Sequence, residues 1–208
     1  MADPIDTLLD IARSYVDVGM ATDADGYLGL IADGETVRRS REMAQMSGCG
    51  LTLRGVLTKW LRWAGLPVHS RLCAPYDSDP GAVADVIAVH PRDGVSHRAP
   101  ASPWTSRHVA SVDPGCFVVV GTTGADTHVY LVEAVHSDYL GLTLEAIEGG
   151  QRDRETGQQI IRRRRHVIDE RGWDHPEHHA DDPYQRAAKP VTWVLNTRAL
   201  WVAAGGVL

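Results

Sequence analysis

Cysteine is scarce in this chain and odd in number. The three, Cys49, Cys73 and Cys116, lie far apart among 208 residues, which suits neither a disulfide framework nor a zinc ribbon and predicts at least one free thiol. No run approaches the roughly 20 apolar residues that a membrane span needs, and the opening MADPIDTLLD is acidic where a secretory signal opens basic. The expectation is a soluble chain made in the cytoplasm, with no membrane partner. Positive charge is not in excess either. The net charge of −6 argues against nucleic acid as a partner. There is no internal repeat and no low-complexity tract, and 43% hydrophobic residues suffice for one good-sized core. A single domain over 1–208 is expected.

Helices come first along the chain and strands later. Ile5, Leu8, Leu9, Ala12 and Val16 mark an amphipathic helix, and 35–46 is a more polar candidate. The clearest helix follows Cys49. Leu53, Val56, Leu57, Trp60, Leu61 and Ala64 recur at i, i+3, i+4, i+7, i+8 and i+11, with Arg54, Thr58, Lys59 and Arg62 opposite and Gly65 and Pro67 as the stop. Asp79 followed by Pro80 begins another helix, running to about His90. The Pro-rich stretch 91–114 reads as an irregular loop. Beyond it, 116–121 (CFVVVG), 127–135 (THVYLVEAV), 142–148 (LTLEAIE), 159–168 (QIIRRRRHVI) and 191–195 read as strands separated by glycine-bearing turns. The expected plan is α+β: N-terminal helices, about 1–90, packed on a small antiparallel sheet, about 114–200.

One cysteine stands where chemistry is easy. Cys49 lies between Gly48 and Gly50 at the head of the apolar helix, where unpaired backbone N–H groups and the positive end of the helix dipole favour thiolate over thiol. The glycines leave backbone bare, so that a carbonyl could approach and an N–H could hold an oxyanion. A thiolate needs a base. His128 opens an apolar strand and alternates with Tyr130 and Val132, and Glu148 shares the buried face of the next strand with Leu142, Leu144 and Ala146. Cysteine, histidine and glutamate in that order satisfy the logic of nucleophile, base and orienter.

The runs SGCGLTLRGVL, PGCFVVVG, THVYLV and LEAIEGGQ together resemble the NlpC/P60 and CHAP branch of the papain-like cysteine hydrolases, over about residues 45 to 151. The pattern is departed from at Cys116, where that branch commonly carries Asp. The resemblance implies a papain-like fold and amide hydrolysis, with peptidoglycan peptides as the default substrate. Cys49 would be the nucleophile, His128 the base and Glu148 the orienter, with neither metal nor other cofactor. It also implies a site role for Tyr27, upstream of the nucleophile. Trp104 and His108, in the Pro-rich loop, are candidates to line a substrate cleft.

A wall hydrolase of this kind fits a phage lysis protein or an antibacterial effector delivered by a dedicated secretion machine and held by an immunity partner. Two alternatives stay open: a protein-directed peptidase, deamidase or acyltransferase, and a non-catalytic papain-like binding or structural module. Residues 174–179 (DHPEHH), with Asp181 and Asp182, lack the spacing of a zinc site and read as a solvated loop. Arg162 to Arg165, flanked by acids, read as an exposed edge strand. Cys73 and Cys116 read as structural.

Overall fold

The computed structural model describes residues 3–32, 48–66, 96–98, 112–121, 128–138, 141–177 and 187–207. Helix α1 (Pro4–Arg13) starts where Asp3 caps the Ile5 N–H at 2.8 Å and Pro4 occupies the first turn, a position where the missing proline N–H removes nothing. Its stripe Ile5, Leu8, Leu9 and Ala12 is buried as the spacing predicts. Helix α2 (Ala24–Ala32), which the sequence reading leaves out, follows it. Helix α3 (Gly48–Trp63) is the central helix, and Trp60 ties it to α1 by donating from Nε1 to the Pro4 carbonyl at 2.7 Å. Its polar face is narrower than the pattern suggests, because Arg54 and Thr58 are buried with the apolar residues. A last helix, α4 (Thr197–Ala203), is capped by Asn196 and sets Trp201 against Trp60, ring centres 5.0 Å apart. The helices expected over 35–46 and 79–90 lie outside the described residues.

The sheet differs in kind from the one expected. Strands β1 (Ser96–Arg98), β2 (Phe117–Val120), β3 (His128–Asp138), β4 (Gly141–Arg152), β5 (Gln159–Ile168), β6 (Trp173–Pro176) and β7 (Lys189–Leu195) are ordered β1-β7-β2-β3-β4-β5-β6, with a further β6–β7 pairing. That pairing joins the ends. Six antiparallel strands therefore close into a barrel, and β1 lies along β7 outside the circuit. The α+β, papain-like plan of helices on a small sheet is corrected to a closed antiparallel β-barrel with few helices. Closure depends on β6, which lies in the stretch read as a solvated loop. It escapes a hydrophobic reading because the residue it turns inward is Asp174, 2% exposed, while Trp173 faces out. β5 likewise is no edge strand, since β4 flanks it along its length and β6 takes over part of its other side. The remaining stretch of that side is covered by residues 17–20, where the Ile161 N–H donates to the Val18 carbonyl at 3.0 Å and the Met20 N–H to that of Gln159 at 2.9 Å.

Two apolar layers follow from the strand alternation. Phe117, Val119, Val129, Leu131, Ile147 and Ile161 point outward and pack on α1, α2 and α3. Val118, Val120, Tyr130, Val132, Leu144 and Ala146 point inward and fill the barrel. β2 is buried on both faces, and this is why its sequence is an unbroken FVVV and not an alternation. Among the described residues no helix is long and apolar enough to cross a membrane.

Candidate functional site

Cys49 is the second residue of α3 and is buried in the layer between the helices and the barrel wall. The helix head reaches the wall through glycines. A Cβ at Gly149 would meet the Thr52 side chain, with Thr52 Cβ at 2.6 Å and the Gly48 carbonyl oxygen at 2.8 Å. One at Gly150, whose φ is +72°, would lie 2.8 Å from the Cys49 nitrogen. Backbone therefore seats on backbone where β4 bulges between Glu148 and Gln151. Gly48 is covered as well: a Cβ there would run into the Gln159 amide oxygen and, at 2.5 Å, the Gly150 Cα. The bare backbone expected to admit a substrate at Gly48 is occupied instead by β4 and β5. Beside Cys49 a cavity of about 10 Å³, lined in part by Thr52, Val56, Phe117 and Gly149, has room for roughly one water.

Tyr27, on α2, is fully buried and donates from its hydroxyl to Gln159 Oε1 at 2.7 Å. Burial first, and then the electrostatic effect of Cys49, hold its phenol above the usual range, so it is a neutral donor beside the sulfur. Gln159, at the start of β5, thus touches both Tyr27 and the head of α3. Its position is invisible in a sequence because 132 residues separate it from Tyr27.

His128 and Glu148 come together on the inward face. They are 4% and 1% exposed, and the His128 Nε2 is hydrogen-bonded to Glu148 Oε2. Register explains the meeting, since Leu131 pairs with Ile147 and the next positions along place Tyr130 across from Glu148, with His128 diagonal to it. Glu148 is held from its other side by Arg164 on β5, whose Nε lies 2.8 Å from Oε1. The Glu148 carboxylate thus fixes the orientation of the imidazole at Nε2. Of the expected residues, the structure joins His128 to Glu148 and sets Tyr27 near Cys49. The sulfur belongs to the outer layer and the imidazole to the inner one, and the Gly149–Gly150 bulge touches the head of α3. Trp104, His108 and Cys73 lie outside the described residues.

The barrel interior holds a second pair that sequence reasoning missed. His166 Nδ1 lies 3.0 and 2.9 Å from the two carboxylate oxygens of Asp174. The Tyr130 ring stacks on the His166 ring with centres 4.0 Å apart, and the His166 Nε2 is 3.9 Å from Glu148 Oε2. Burial, followed by the negative charge of Asp174 and Glu148, pushes the Tyr130 phenol well up. The one available signal was periodic: Glu148, Arg164, His166 and Asp174 all fall on inward positions of their strands. Among the described residues no group of three or more potential ligands could hold a metal ion. Cys116 is a poor rival nucleophile, because burial pushes its thiol up to about 11 and keeps it protonated at neutral pH. Comparisons with protein-family models, with curated proteins and with solved structures returned no match.

Proposed function

We propose that the chain is a cysteine hydrolase of amide bonds, with Cys49 as nucleophile, His128 as base and Glu148 as orienter. One observation carries this reading. An imidazole fixed at Nε2 by a buried carboxylate, itself fixed by Arg164, opens the strand that runs beside the Gly149–Gly150 bulge, and the head of α3 seats Cys49 against that bulge. Two held groups and a thiol at a helix N-terminus are the parts that acyl transfer needs.

His128 Nδ1 takes the thiol proton, and the Cys49 sulfur adds to the substrate carbonyl carbon to give a tetrahedral oxyanion. The imidazolium then gives its proton to the leaving amine as the C–N bond breaks, leaving a thioester on Cys49. Water, deprotonated by His128, adds to the thioester, and the carboxylic acid departs as the thiol is restored. Glu148 holds the tautomer that keeps Nδ1 unprotonated in the resting enzyme and stabilises the imidazolium when it forms. The Cys49 backbone N–H is one donor to the oxyanion.

Cell-wall peptides are the substrate to test first, with delivery by a dedicated export machine as the route to them. A protein-directed peptidase, deamidase or acyltransferase uses the same three residues. Burial favours a second, non-catalytic reading: Cys49, His128 and Glu148 are each under a tenth exposed, and a gap for one water admits no peptide. The hydrolase reading therefore requires the site to open on substrate binding. Digestion of purified peptidoglycan, with products weighed by mass spectrometry, separates the two. The wild type is expected to release peptide fragments and Cys49→Ala to release none. Absence of release from walls of every cross-link type removes the wall substrate, and an unreactive Cys49 removes the hydrolase.

A further inference from the structure

Helix α3 carries a buried hydroxyl that the described residues leave unmatched. Thr52 is 6% exposed, and among the described residues its Oγ1 has no hydrogen-bond partner. A threonine inside a helix ordinarily donates to the carbonyl four residues back, which here belongs to Gly48. That bond is not made. A buried donor without an acceptor is destabilising, so the position suits an acceptor that a ligand supplies.

The surroundings of the hydroxyl show what kind of acceptor fits. Thr52 follows Cys49 by three residues and so shares its face of α3, and the two line the cavity of about 10 Å³ together. Gly149 lines it as well, and a Cβ there would run into the Thr52 hydroxyl, so Oγ1 lies against bare backbone. Room for one water is also room for one carbonyl oxygen. Val56, Phe117, Leu131 and Ile147 make up much of the remaining wall, and in such apolar surroundings a single O–H bonds more strongly than it does in water. Thr58, further along α3, is 1% exposed and equally unmatched, but it does not line this cavity.

We infer that Thr52 is a second donor to the oxyanion, its hydroxyl bordering the space that receives the oxygen of an acyl group attacked by Cys49. This rests on the proposed role of Cys49. As the sulfur adds to the carbonyl carbon, the π pair moves onto the oxygen and the Thr52 O–H donates to it, keeping its proton. When the pair returns and the bond to the leaving group breaks, the oxygen is a neutral thioester carbonyl and a weaker acceptor. The hydroxyl therefore bonds most strongly where the charge is greatest, which speeds acylation in particular.

Two small thiol reagents isolate that step. p-Nitrophenyl acetate acetylates a cysteine through a tetrahedral oxyanion and expels p-nitrophenolate, whereas iodoacetamide alkylates it by displacing iodide and forms no oxyanion. The quantity read is the ratio of acetylation to alkylation rates at Cys49, followed site by site with mass spectrometry at one pH. Thr52→Val keeps the shape, drops the hydroxyl and is expected to lower that ratio at least about tenfold. Thr52→Ser keeps a hydroxyl and Thr58→Val removes one that is off the cavity, and both are expected to stay near the wild-type ratio. An unchanged ratio in Thr52→Val, with rapid alkylation of Cys49, overturns this inference alone, and so does an equal fall in Thr58→Val. Slow alkylation of wild-type Cys49 overturns the hydrolase reading and takes this inference with it. Should Thr52→Val fail to fold, Thr52→Ala against Thr52→Ser carries the same comparison, with the fall expected in the alanine variant only.

Discussion

Gly149 shows how much a single residue sets here. Any side chain would strike Thr52 and the Gly48 carbonyl, so the head of α3 could no longer rest on β4. Gly149→Ala is expected to cost about 1–3 kcal/mol, as overpacking of a filled core does. Denaturant unfolding checks this, and Gly29→Ala is the control, since a Cβ at Gly29 meets nothing within 4 Å and neither glycine has a positive φ. A loss at Gly149 no larger than at Gly29 would mean that the close approach contributes nothing. Residue types were the most legible part of the sequence. Glu148 shares an inward face with Leu142, Leu144 and Ala146, and alternation alone places it there. Gln159, Arg164, His166 and Asp174 were not legible as site residues, because each acquires its partner through strand register, which one sequence does not state.

At the scale of elements, the turn between β5 and β6 carries a measurable charge. Asp169 Oδ1 accepts from the Arg171 and Trp173 N–H groups at 2.9 and 3.0 Å, and Oδ2 faces the Arg171 guanidinium and His175. Partial burial raises its carboxyl, but the bonds from Trp173, Arg171 and His175 outweigh that and hold it at about 2. A folded value depressed below the ordinary 3.8 means that the stabilisation is present in full above about pH 4. It is lost as the pH falls through about 2. Asp169→Asn is therefore expected to destabilise the protein at pH 5 and to lose that deficit progressively down to pH 2, as read from urea midpoints. A deficit that stays constant with pH would show that the turn does not depend on the ionised carboxylate. This same turn launches β6, the strand a hydrophobic pattern could not find, since its inward positions hold an aspartate and a proline.

The whole molecule is a barrel whose inside is partly charged and whose outside is apolar where helices cover it, the reverse of what a search for buried apolar faces assumes. Helices α1 and α3 and five of the strands could be read, whereas α2, α4, β1 and β6 could not. Closure could not, because it depends on β6 pairing with both β5 and β7. The same inversion puts His128 and Glu148 on the inward face of the wall and Cys49 in the layer outside it.

The account rests on cooperation between the Cys49 sulfur and the His128 imidazole, and alkylation by iodoacetamide at pH 6, followed site by site with mass spectrometry, measures it directly. Cys49 is expected to react at least about tenfold faster than Cys73 and Cys116, with His128→Ala abolishing the difference and Glu148→Gln reducing it. Equal, slow labelling of all three cysteines in the wild type would contradict the account and leave a barrel whose buried thiol only fills space.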